Sequence, residues 1–176
     1  KYDLALNYVK TSLKISPNYT DARNNYARIL IAMAQYNRAI SELNKVLKDL
    51  TYQQQDKAFT NLGLAYMRKN EYPKAKPYFV KALKVNRDFC PAYNLYGQTL
   101  LKLNEAESAD HVFDQALRVC EDNLEELNYF SALTEYQLGR KLEARGHLQE
   151  IIKTNPASEY AEKAQKLLTA LEQVQQ

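Results

Sequence analysis

The sequence predicts an all-α chain in which antiparallel helix pairs follow one another as a solenoid. Three observations carry this. Alanines recur at Ala5, Ala39, Ala75, Ala109 and Ala144, at spacings of 34, 36, 34 and 35 residues. Side chains at offsets of 4, 7 and 8 from each alanine are apolar or small, and those offsets mark one face of an α-helix. Offset 4 holds Val9, Leu43, Phe79, Phe113 and Leu148; offset 8 holds Leu13, Leu47, Leu83, Leu117 and Ile152. Finally, 4 glycines and 5 prolines in 176 residues are too few for the tight turns of an all-β fold.

A second helix precedes each of these. Twelve residues before the alanines stand Ala27, Gly63, Gly97 and Ala132, all small, as close approach of two helix axes requires. Three residues further on come Leu30, Tyr66, Leu100 and Glu135, and aromatics stand four before the glycines, at Phe59 and Tyr93. The pattern resembles the tetratricopeptide repeat, a helix–turn–helix unit. Its most complete copy is Asn61-Leu62-Gly63-Leu64-Ala65-Tyr66 followed by Ala75, Phe79 and Ala82. The resemblance implies a right-handed superhelix of antiparallel helix pairs, each exposing an apolar face that its neighbour covers.

In this register residues 1–176 form one array. Residues 1–19 are the second helix of a partial repeat, closed by Ser16-Pro17. Residues 20–55, 56–89, 90–124 and 125–158 are full repeats, the first carrying a two-residue expansion near Thr51–Gln55. Residues 158–175 form a polar-faced capping helix, which solenoids need for solubility. Two local departures stand out. Asn128 and Ser131 hold positions that are usually bulky, and Pro77 falls early in a helix, where only the first turn tolerates it. The opening residues are already amphipathic, so the chain is expected to start inside a repeat.

Composition narrows the function classes. Hydrophobic residues are 45% and charged residues 26%, ordinary globular usage. No run approaches the apolar length of a transmembrane helix. The net charge of +3 conceals an asymmetry: residues 1–89 carry +9 and residues 90–176 carry −6. The lysine-rich run Arg68–Arg87, interleaved with Tyr72 and Tyr78, reads as the outer face of an amphipathic helix rather than a nucleic-acid site. No glycine-rich phosphate loop, metal-ligand spacing or nucleophile–base set can be assembled, so the chain is read as a non-enzyme without cofactor, metal or small-molecule substrate. His111 and His147 read as surface histidines.

Cys90 opens the first helix of its repeat and Cys120 closes the second. Antiparallel helices bring those ends together, within reach of a disulfide; the other reading is two buried free thiols. The remaining candidate is the concave groove, lined by the first helix of each pair. Counting along those helices places Asn24, Arg28, Ile31, Leu64, Met67, Arg68, Asn94, Gln98, Leu101, Tyr129, Leu133 and Tyr136 there. Apolar anchors mixed with amides and a few cations suit a peptide. Leu64 stands where the carboxylate clamp of chaperone-binding repeats needs an asparagine.

Several stretches resemble one group more specifically: Asn24-Asn25-Tyr26-Ala27, the expanded loop with Thr51-Tyr52, Asn61-Leu62-Gly63, Phe89-Cys90-Pro91-Ala92 and Val119-Cys120-Glu121. Together they are similar to the pilotins of type IV pili, the PilF/PilW/Tgl group, and to the Tgl branch most of all. The resemblance implies a lipoprotein on the periplasmic face of the outer membrane, anchored by a lipid upstream of this chain. It implies that the groove binds the secretin subunit and promotes its localisation or multimerisation for pilus biogenesis and motility. The alternative is a periplasmic repeat scaffold that tethers cell-wall enzymes.

Overall fold

How each segment begins and ends explains why it is a helix. The computed structural model describes residues 2–121 and 124–173. Among them the helices are α1 (Tyr2–Ile15), α2 (Thr20–Ala32), α3 (Tyr36–Val46), α4 (Gln55–Arg68), α5 (Tyr72–Val85), α6 (Cys90–Lys102), α7 (Ala106–Val119), α8 (Leu124–Gln137), α9 (Lys141–Thr154) and α10 (Glu159–Gln173). Asp122 and Asn123, near the end of the expected repeat 90–124, and the last residues of the capping helix lie outside the described residues. X-Pro bonds stop two helices: α1 ends before Ser16-Pro17 and α9 before Asn155-Pro156, because a proline ring disfavours the helical conformation of the residue ahead of it.

The turn inside each pair is a backbone device that recurs four times. Ala34, Asn70, Asn104 and Gly139, each seven residues past the small residue of its helix, take positive φ of 57°, 61°, 59° and 79°. The amide one residue later donates back to the helix, Gln35 to Leu30 O at 2.8 Å, Glu71 to Tyr66 O and Glu105 to Leu100 O at 2.9 Å, and Arg140 to Glu135 O at 2.8 Å. The left-handed residue itself donates to Ile31, Met67, Leu101 or Tyr136. These paired bonds are a Schellman motif. Asparagine and glycine enter the left-handed region readily, whereas Ala34 does so at a cost of roughly 1–2 kcal/mol.

The chain divides into two compact units, up to Ala92 and from Tyr93. In the first, α2 packs on α1, α3 and α4, and α4 packs on α3 and α5. Its core is built from Ala27, Leu30, Ala39, Leu43, Val46, Ala58, Leu62 and Ala65. α1 buries none of its residues fully. Phe79 of α5 is fully buried, and a Cβ added at Gly63 of α4 would lie 2.5 Å from its ring. That glycine is therefore a steric necessity. α5 runs through Pro77, which lies in its second turn; both Pro77 and Pro73, whose carbonyl loses its helical partner, are exposed residues.

The expanded loop is pinned by side chains. Asp49 accepts from the hydroxyls of Thr20 (2.5 Å) and Thr51 (2.6 Å) and from the Thr51 amide (3.0 Å), which hold its carboxyl below the usual range. The buried Tyr52 donates to Asp21 Oδ1 at 3.2 Å, and burial together with Asp21 pushes its phenol up. Asn86 Nδ2 closes on the buried Asp56 carboxylate at 2.9 Å.

In the second unit the Gly97–Phe113 pair repeats the Gly63–Phe79 arrangement, and a Cβ at Gly97 would meet the Phe113 ring. Phe113 stacks on Phe130 of α8, with centroids 6.2 Å apart. Ala132, Ala144, Leu148 and Ile151 form a core that Ala161, Ala164, Leu168 and Leu171 of α10 cover. Ser131 is fully buried, and its hydroxyl finds no hydrogen-bond partner among the described residues. A bulky side chain is thus absent here because α8 is enclosed at that point. Neither cysteine of the chain is free; both are disulfide-bonded.

Candidate peptide grooves

The first helix of each pair presents its residues at one, four and five positions past the small residue to the groove side. In the first unit this gives Arg28 and Ile31 on α2 and Leu64, Met67 and Arg68 on α4. Arg28, Ile31, Leu64 and Arg68 line one cleft of about 490 Å³, together with Tyr36 and Asn61. Ile31 is 8% exposed and forms floor, whereas Arg28 and Arg68 are exposed. Met67 is half-buried and does not line this cleft. Asn24 behaves differently from its expected role. It is 3% exposed, and its Oδ1 accepts from Asn61 Nδ2 at 2.9 Å. The amide thus joins α2 to α4, which leaves it almost no surface to offer a peptide.

In the second unit Asn94 and Gln98 are half-buried and bonded to each other, Gln98 Nε2 donating to Asn94 Oδ1 at 2.9 Å. Gln98 Nε2 also lies 3.4 Å from Glu126 Oε1. Leu101 is 9% exposed, so it contributes floor rather than reach. On α8, Leu133 is half-buried, and Tyr129 and Tyr136 pack against the core beneath α10. Tyr129 sits edge-on to Phe130 at 5.5 Å and tilted against Tyr160 of α10 at 5.7 Å. The Tyr160 phenol is pushed up by burial and by Glu126. Tyr129 is thus largely engaged by the terminal helix.

A partly buried polar pair joins α8 to α9. Glu135, at a register position where the other repeats carry Leu30, Tyr66 and Leu100, is buried on α8. His147 of α9, expected as a surface residue, is instead held with its Nδ1 3.0 Å from Glu135 Oε2. The carboxylate in an apolar register position was the signal in the sequence. Burial raises the Glu135 carboxyl above its ordinary 4.5, against the opposing pull of His147 and Arg140. A folded carboxyl that titrates above the unfolded one favours folding at low pH, and that contribution is lost as pH rises from about 4.5 through the folded value. Replacing the pair as a whole, Glu135→Leu with His147→Leu, is therefore expected to stabilise the chain by about 1–2 kcal/mol at pH 7. This advantage over wild type should shrink towards pH 4.5. Thermal melts across pH 4.5–7 test this, and an advantage that grows on acidification refutes it.

Among the described residues no group of three or more His, Cys, Asp or Glu side chains is placed to hold a metal ion, and no helix is long and apolar enough to cross a membrane. Tetratricopeptide-repeat models match residues 1–58, 56–89 and 91–123. The type IV pilus assembly protein PilF of Pseudomonas aeruginosa is 34% identical over 65 residues, 37% of this chain and 26% of PilF. The Protein CTR9 homolog of Arabidopsis thaliana is 31% identical over 103 residues, 56% of this chain and 9% of that protein. The matched stretches thus span only a small part of either curated relative. Among solved structures, PilW, a widely conserved type IV pilus biogenesis factor, superposes with a TM-score of 0.83 at 21% identity, over 92% of this chain and 74% of PilW. P. aeruginosa PilF superposes with a TM-score of 0.78 at 21% identity, over 93% and 73% of the two chains. MamA gives 0.73 at 19% identity, over 94% and 91%. The helix pairs, their glycine-against-phenylalanine packing and these matches together make the chain a tetratricopeptide-repeat solenoid protein, similar to the type IV pilus assembly proteins PilF and PilW.

Proposed function

We propose that this chain is a type IV pilus biogenesis factor of the pilotin kind, binding the outer-membrane secretin subunit through its grooves and promoting secretin localisation or multimerisation. The observation that carries the reading is the 65-residue stretch 34% identical to PilF. The groove chemistry agrees: apolar floors at Ile31 and Leu101, half-buried leucines at Leu64 and Leu133, and polar or cationic neighbours suit an extended or amphipathic peptide. A partner of this kind offers unpaired strand edges until it oligomerises, and a groove that covers such an edge suppresses wrong pairing. A disulfide suits an oxidising compartment such as the periplasm, and on this reading the protein works at the periplasmic face of the outer membrane.

Charging both grooves tests the proposal. Leu64→Asp combined with Leu133→Asp targets half-buried positions, whereas Leu101 is too enclosed to charge without unfolding the repeat. The variant should keep its helical circular dichroism and lose secretin multimers in cells. Normal multimers with a folded variant would overturn the reading. Crosslinking that recovers cell-wall hydrolases in place of secretin would favour the scaffold alternative.

A further inference from the structure

The groove of the first unit differs from that of the second in one respect that the repeat register makes plain. One position past the small residue stand Arg28, Leu64, Gln98 and Leu133; five positions past it stand Ala32, Arg68, Lys102 and Gln137. Only in the first unit do two arginines come from neighbouring groove helices, and both line the same cleft as Ile31 and Leu64. No aspartate or glutamate lines that cleft. Both arginines are exposed, and among the described residues neither makes a hydrogen bond or ion pair. Arg23 and Arg38 of the same unit are engaged, Arg23 with Glu42 at 2.6 Å and Arg38 with the Tyr26 hydroxyl at 2.9 Å. A guanidinium stays charged at all relevant pH and presents a planar fork that fits a carboxylate.

We propose that the first-unit cleft is a reader of acidic, amphipathic peptide: an extended segment whose aliphatic side chains face Ile31 and Leu64 and whose carboxylates meet Arg28 and Arg68 at the rim. This rests on the groove reading above and names the partner chemistry it selects. In an extended chain alternate side chains point to opposite faces. A Leu-Asp alternation therefore delivers leucines to the floor and aspartates to the open side of the cleft, where the exposed, long stems of Arg28 and Arg68 reach round to them. Neighbouring helix axes lie about 8–10 Å apart, and residues i and i+2 of an extended chain lie about 7 Å apart. Two arginines on long, flexible stems can therefore meet two successive acids. The unit that holds this cleft carries +9, against −6 for residues 90–176, so its field steers an anionic segment towards it. The second unit, with Gln98 and Leu133 at the position of Arg28, takes neutral or polar segments instead.

The test uses the intact 176-residue chain and three dye-labelled probes read by fluorescence anisotropy: a nonapeptide of alternating leucine and aspartate, its leucine–asparagine twin, and an oligothymidine of eight nucleotides. The acidic peptide should bind about tenfold more tightly than its amide twin, as expected of charge-assisted pairing. Arg28→Gln with Arg68→Gln should erase that difference while leaving the amide twin's affinity unchanged, with Lys102→Gln as a silent control. Equal affinity for the two peptides overturns the carboxylate reading and leaves the groove reading standing. Peptide affinity that survives Leu64→Asp overturns the groove reading itself. Tighter binding of the oligothymidine than of the acidic peptide overturns the assignment to a peptide.

Discussion

Phe79→Ala is expected to destabilise the chain by about 3–5 kcal/mol, the loss typical of emptying a fully enclosed aromatic site. Gly63→Leu is expected to cost about 1–3 kcal/mol by overpacking, despite the gain in helix propensity over glycine. The double variant should be markedly less destabilised than the sum of the two. The reason is geometric: any Cβ at position 63 points into the ring of Phe79 at 2.5–2.9 Å, so a leucine there fills the volume the ring vacates. Urea unfolding followed by circular dichroism measures all three. If the two losses add within about 0.5 kcal/mol, the residues are energetically independent and the packing account fails.

Removing the cysteines should have an effect of similar size. A link between Cys90 and Cys120 closes a long segment of chain, and on the loop-entropy account it stabilises by roughly 3–4 kcal/mol. Cys90→Ala with Cys120→Ala is expected to lose that amount. Reductant should bring the wild-type urea midpoint down to that of the variant while leaving the variant unmoved. Intact-mass analysis after alkylation of unreduced protein should find no modified thiol. A wild-type midpoint insensitive to reductant, or two alkylated cysteines, would overturn this.

The parts of the architecture that rest on periodicity were legible in the sequence. The small residues Ala27, Gly63, Gly97 and Ala132 and the large ones Phe79 and Phe113 repeat because each is forced by the same close approach of two helices, and a repeated constraint leaves a repeated residue. Constraints that occur once leave no such trace. Asn24 looked available because its register position faces the groove, yet its amide completes a bond to Asn61 that only the three-dimensional pairing of α2 with α4 reveals. Tyr129 looked like groove wall until Tyr160 of α10 came to rest against it. The Schellman corners are silent in the sequence for a different reason. They are held by backbone atoms, so their one side-chain signature is the tolerance for positive φ at Asn70, Asn104 and Gly139, and Ala34 does not carry even that. Arg28 and Arg68 were both visible as groove residues, but their convergence on one acid-free cleft depends on helix placement.

The four backbone corners also bear on how a molecule of this design changes over time. Because each corner is fixed by peptide groups and a single dihedral angle, the side chains one and four positions past the small residue owe nothing to turn formation. Arg28, Leu64, Gln98 and Leu133 already show how freely one such position varies within a single chain. Each is in effect an interchangeable slot. Binding preference can drift slot by slot under selection from a partner, while the scaffold that displays the slots is inherited unaltered.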